Sequence, residues 1–177
     1  MASRVLCGRR DRQSDPLPPA LGDLIPGMSR RVLAIASGGG HWVQLRRLLP
    51  AFDGLDVAFV SVSPAYAEQV PGHRFYYVRD AHRFSKLSFL ILAFQLLRIL
   101  VIERPDVVIT TGSAPGFIGL ALAKVCLCSR TIWIDSIANC ERMSTSGLRA
   151  RHVADVWLTQ WPQLCSEGGP EYWGAVL

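Results

Sequence analysis

A chain of 177 residues that is half apolar and only 19% charged has material for one buried core, and this composition excludes a disordered protein. Its net charge of +5 rests on 19 basic against 14 acidic residues, and all but two of the basic ones are arginine, which suits planar phosphate and carboxylate partners. No Lys/Arg block or aromatic RNA-binding signature accompanies the charge, so no nucleic-acid partner is expected, whereas anionic lipid head groups or a diphosphate fit. The cysteines at 7, 126, 128, 140 and 165 are odd in number and lack paired metal-ligand spacing, so they read as free thiols in a reducing compartment. Cys126 and Cys128 would point about 200° apart on a helix. No metal and no cofactor is expected.

Residues 1–28 read as a disordered leader, with Arg clusters, four prolines and no apolar stretch long enough for a signal peptide. Met28 stands just before the first clean strand, which raises the expectation that translation starts there. Residues 29–177 are expected to form a single domain. Val32 to Ala36 is a continuous apolar run of the kind buried on both faces of a sheet. Ser37, Gly38, Gly39, Gly40 and His41 follow at once, and then Trp42, Leu45, Leu48 and Leu49 recur at helical spacing until Pro50. A second strand is expected over Val57 to Val62, a helix from Ala65 to Val70 behind Ser63-Pro64, and a weaker third strand from Arg74 to Val78.

Leu87 to Ile102 is the most apolar stretch, and Arg98 interrupts it. It is short for a spanning helix, which needs about 20 apolar residues, so an in-plane interfacial helix and a buried core helix are the two readings. The basic residues before it, Arg79, Arg83 and Lys86, favour lipid contact, with Leu90, Phe94, Leu97 and Arg98 as the membrane-facing set. Pro105 to Thr111 returns to a buried strand, followed by a loop from Gly112 to Gly116 and a small-residue helix from Phe117 to Cys126. Thr131 to Asp135 is the next strand, a polar segment runs to Arg149, and Val156 to Thr159 is the last strand. His73, His82 and His152 read as surface residues. Strands alternating with helices predict an α/β fold with a doubly wound, Rossmann-like parallel sheet, whose ligands sit at the carboxyl ends of the strands.

Three glycines at a strand end let a backbone approach a diphosphate, and the helix that follows offers unpaired amides; a tight turn that packs helix on strand is the other reading. The run matches neither GxGxxG nor GxxxxGK[ST]. His41 is either a general base or phosphate-orienting group, or a structural histidine. Gly112, Ser113 and Gly116 could cradle a second polar group. Asp135 and Glu141 are candidate acids, with helix capping or ion pairing as the alternative.

Ala36 to His41, Thr111-Gly112-Ser113, Ile134 to Ala138, Ser144 to Gly147, Ala154 to Trp157, Gln160-Trp161-Pro162 and Tyr172-Trp173-Gly174 stand in the order seen in the asparagine-linked glycosylation 14 family. The chain resembles that family from about Arg30 to Leu177, and the family in turn is similar to the amino-terminal half of GT-B glycosyltransferases such as MurG. The resemblance implies a membrane-associated subunit that transfers N-acetylglucosamine, glucose or glucuronate from a UDP-sugar to a lipid diphosphate-linked acceptor, inactive without a catalytic, UDP-sugar-binding partner subunit. Under it, His41 is the base, and Ser37 to Gly40, Gly112, Ser113, Gly116, Asp135, Ser136 and Glu141 bind the acceptor. Gln160, Trp161, Tyr172 and Gly174 would dock the partner. The chain lacks the amino-terminal membrane helix of eukaryotic members, which points to a bacterial, PssD-like member held peripherally at the cytoplasmic face of the inner membrane. It also has Asp135 where the family usually has Glu, and Asn139 where Arg is common. A non-catalytic scaffold that recruits the transferase is the alternative. A self-sufficient nucleotide-binding enzyme of the dehydrogenase or sugar-nucleotide type is disfavoured by the missing GxGxxG and by the lack of an acid after the second strand.

Overall fold

The computed structural model describes residues 31–80 and 86–176, together with the backbone but not the side chain of Lys86. The expectations for the leader at 1–28, for His82 and for Arg83 lie outside the described residues. The chain runs β1 (Arg31–Ile35), α1 (Gly40–Arg47), β2 (Asp56–Ser61), β3 (Arg74–Tyr77), α2 (Lys86–Glu103), β4 (Val107–Thr110), α3 (Ser113–Cys126), β5 (Arg130–Ile134), α4 (Thr145–Ala150), β6 (Val156–Thr159) and β7 (Glu171–Tyr172). Among the described residues the seven strands form one sheet in the order β3-β2-β1-β4-β5-β6-β7, and every neighbouring pair is parallel.

Central strands of such a sheet are apolar on both faces, and β1 shows why. Val32, Ala34 and Ala36 join the core that holds Trp42 and Leu45 of α1. Leu33 and Ile35 join the opposite core, with Leu92, Leu96 and Leu100 of α2 and Leu120 and Ala123 of α3. The small residues of α3 bring it close to the sheet. A Cβ on Gly116 would stand 2.0 Å from Thr110 Oγ1, and one on Gly119 would stand 2.3 Å from Ile35 Cδ1.

The core-helix reading describes one face of α2, and the other face is exposed. Leu92, Leu96, Ile99 and Leu100 are buried against the sheet, whereas Leu90 is 67% and Phe94 70% exposed, with Leu87, Val101 and Ile102 exposed beside them. Leu97 is half-buried and Arg98 exposed. Among the described residues no helix is long and apolar enough to cross a membrane. The carboxyl end of α2 is pinned by Glu103, which accepts bonds from Arg74 and, at 2.5 Å, from the Tyr76 hydroxyl, while Arg74 also pairs with Asp56 at 2.8 Å. Burial alone would push the Glu103 carboxyl up. The bonds from Arg74 and Tyr76 outweigh it and hold the group below the usual carboxylate range.

Five elements differ from expectation. The helix α1 begins at Gly40, not Trp42, and a 3-10 turn over Leu49–Phe52 carries Pro50. Pro64–Gln69 is a 3-10 turn and not an α-helix, and its six residues bury no side chain. Ser113 to Gly116, read as loop, is the first turn of α3, where Pro115 needs no amide partner. The polar segment before Arg149 contains α4, capped by Ser144 Oγ accepting from the Gly147 amide at 2.8 Å. The short β7 extends the sheet one strand beyond β6.

Candidate functional site

The site is set by topology. The adjacent strands β1 and β4 run parallel, yet α1 leaves β1 toward one face of the sheet and α3 leaves β4 toward the other. Their carboxyl ends are therefore the point where strand order reverses, the place at which doubly wound sheets carry a ligand crevice. Its walls are the first turns of two helices. Gly39 and Gly112 are their N-caps, and neither supplies a side-chain cap, so the first-turn amides keep their partial positive charge for a ligand.

His41 joins the two walls. Its Nδ1 lies 2.8 Å from the Thr111 carbonyl oxygen, and the Thr111 hydroxyl donates back to the His41 carbonyl at 2.7 Å. A carbonyl can only accept, so the neutral ring carries its proton on Nδ1 and keeps a lone pair on Nε2. Gly112 makes room for that ring: its φ is 120°, and a Cβ there would stand 2.7 Å from His41 Cε1. The next residue, Ser113, has a φ of 77°, rare for a side-chain-bearing residue, and its buried Oγ has no partner among the described residues. A strained side-chain-bearing residue directly after a positive-φ glycine is a pattern found at functional loops. The other end of the glycine loop is held by Tyr66, whose hydroxyl accepts from the Gly39 amide at 3.0 Å while its ring stacks on Trp42 at 4.8 Å. The Ser37 carbonyl accepts from Ser61 Oγ at 3.3 Å.

The structure thus brings Ser37, Gly38, Gly39, Gly40, His41, Gly112 and Ser113 to one crevice. Gly116 is buried, and its lack of a side chain is explained by its contact with Thr110. Asp135 lies at the end of β5, 2% exposed, and its carboxylate is fully engaged. Oδ1 accepts from Ser144 Oγ at 2.6 Å and Trp133 Nε1 at 3.3 Å; Oδ2 accepts from the Ser144 amide at 2.8 Å and Asn139 Nδ2 at 3.1 Å. The two departures from the expected family pattern, Asp135 and Asn139, therefore sit in one hydrogen bond. Glu141 is exposed on the loop that Asp135 organises.

Gln160, expected at a partner surface, instead forms a buried amide pair with Gln44, which the sequence reading did not single out. Gln44, 4% exposed on α1, donates through Nε2 to the Gly40 carbonyl at 3.2 Å and to Ser136 Oγ at 3.1 Å. Its Oε1 accepts from the Ile137 amide at 3.1 Å and from Gln160 Nε2 at 2.6 Å. Gln160 also donates to the Asp135 carbonyl at 2.8 Å and accepts from the Val176 amide at 2.8 Å. Gln160 is buried, so it offers no surface to a partner directly. Trp161 donates Nε1 to the Ile137 carbonyl at 2.7 Å, whereas Tyr172 and Gly174 are exposed along the last strand and the segment after it, beside exposed Trp173. His73 and His152 are exposed, as expected, though the His73 ring meets Phe59 edge-on at 5.3 Å.

Solved structures share this architecture. MurG of Acinetobacter baumannii matches with a TM-score of 0.64 at 15% identity over 80% of this chain and 44% of that one. UDP-N-acetylglucosamine 2-epimerase from Rickettsia bellii matches with a TM-score of 0.58 at 17% identity, over 75% and 39%, and that from Methanocaldococcus jannaschii with 0.57 at 12%, over 73% and 39%. These likenesses show the fold, that of one half of a GT-B glycosyltransferase, and the chain spans less than half the length of each. No curated protein matches in sequence. The family described as "Oligosaccharide biosynthesis protein Alg14 like" matches residues 58–176, which takes in the Thr111 loop, the Asp135 loop and the closing segment, while the Ser37 to His41 loop lies upstream of the matched span. The chain belongs to the Alg14-like family of oligosaccharide biosynthesis proteins.

Proposed function

We propose that this chain is the acceptor-side, membrane-associated subunit of a two-subunit glycosyltransferase. A sugar, N-acetylglucosamine, glucose or glucuronate, moves from a UDP-sugar held on a partner subunit to a lipid diphosphate-linked acceptor held on this one. The observation that carries the reading is the His41–Thr111 bond, which fixes an imidazole at the crevice mouth with Nε2 as its basic atom. Uncapped amides of α1 and α3 suit the acceptor diphosphate. The acceptor hydroxyl attacks the anomeric carbon, the bond from that carbon to the UDP oxygen breaks, and the hydroxyl proton passes to His41 Nε2, with inversion at carbon. UDP leaves with the bonding electrons, stabilised by groups on the partner.

The exposed apolar stripe of Leu87, Leu90, Phe94 and Val101, with Arg98 set in it, lies on the membrane at the cytoplasmic face, where lipid tails meet the leucines and head-group phosphates the arginine. The exposed Tyr172, Trp173 and Gly174 face the partner. Replacing His41 by Ala abolishes transfer by the reconstituted pair, with a loss of about a hundredfold or more, and leaves the complex intact by gel filtration. Near-normal turnover would remove His41 from the mechanism.

A further inference from the structure

The buried side chain of Gln44 is placed unlike an ordinary core residue. One amide group reaches the ends of three strands: the Gly40 carbonyl after β1, Ser136 and Ile137 after β5, and Gln160 after β6. Both donors of Nε2 and both lone pairs of Oε1 are used, so the amide is satisfied in one orientation only. His41 sits one residue beyond the Gly40 carbonyl and is tied on its other side to the Thr111 carbonyl. The first turn of α1 is thus gripped from two sides, by β4 through the histidine ring and by β5 and β6 through Gln44.

We infer that Gln44 is a positioning residue for transfer, whose bond to the Gly40 carbonyl holds the glycine loop and the His41 ring at the crevice; this rests on the transferase reading above. Substitutions separate that role from a packing role. Gln44→Leu keeps the volume and loses all four bonds. Gln44→Glu keeps the acceptor for Ile137 and Gln160 but sets a carboxylate oxygen against the Gly40 carbonyl. If Gln44 only braces the fold, Glu rescues Leu; if it holds the loop, Glu does not.

The experiment measures kcat and acceptor KM of the reconstituted pair for wild type, Gln44→Leu and Gln44→Glu, and the nitrogen-15 imidazole spectrum of His41 in each full-length chain. Both variants lower kcat about tenfold or more with acceptor KM within about threefold of wild type, and both shift His41 from the Nδ1–H tautomer toward an exchange average. A kcat within about threefold of wild type, rescue by Glu, a loss carried by KM alone, or an unchanged imidazole spectrum overturns the inference. An inactive wild-type pair would sink the transferase reading, and the imidazole spectrum would still decide whether Gln44 holds His41.

Discussion

His41 cannot turn without leaving Thr111, and Gly112 is the residue that lets it stand there. Alanine at 112 would demand a φ near 120° and thrust its Cβ into the imidazole. The backbone strain is worth about 1–3 kcal/mol, and the easier relief is for the ring to move. Gly112→Ala therefore folds, loses Nδ1 protection of His41 in NMR, and loses transfer activity nearly as fully as His41→Ala. Asp135 behaves otherwise. Its four donors come from the loop it organises and from Trp133, so Asp135→Ala strips partners from buried N–H and O–H groups and lowers stability by about 2 kcal/mol or more in urea unfolding. The turn from β1 into α1 was legible because three glycines after an apolar run end a strand. Gln44 was not: its partners Ser136 and Gln160 lie 92 and 116 residues away, and a glutamine between helical apolar positions looks like surface.

At the scale of elements, α2 has one face in the core and one that no other described residue covers. Phe94→Asp changes only the outer face, so it leaves the melting temperature within a few degrees and weakens binding to anionic phosphatidylglycerol vesicles by about thirtyfold or more, since burying one such side chain is worth about 2 kcal/mol. The inner end of the same helix gives a pH dependence. The Glu103 carboxyl is held lower in the fold than in the unfolded chain, so its contribution is complete above the unfolded value of about 4.3 and is lost as pH falls through that value toward the folded one. Stability measured by urea unfolding should fall on that acid limb, and Glu103→Gln should flatten it while lowering stability near neutrality. The strands from β1 to β6 and the three longer helices were legible from run length and period. The short α4 was hidden because Gly147 and three hydroxyl residues mask its one turn of buried Gly147 and Ala150, and a strand of two residues carries no period at all.

On the scale of the whole molecule, strand order does what no single motif can. Reversal at β1 and β4 places two uncapped helix ends and one oriented imidazole in the same crevice, while the apolar face of α2 lies elsewhere on the surface. The doubly wound architecture was legible from the alternation of strands and helices, whereas the sheet order and the edge position of β7 are properties of pairing that the sequence does not display. The fold is that of one half of the two-lobed MurG structure it resembles, and the proposed function assigns the nucleotide sugar to a partner subunit. The most direct measurement of that claim is sugar transfer from UDP-N-acetylglucosamine, UDP-glucose and UDP-glucuronate to a lipid diphosphate acceptor, by this chain alone and together with the product of the neighbouring gene. The account predicts transfer from one of the three donors only when both chains are present; turnover by this chain alone would contradict it.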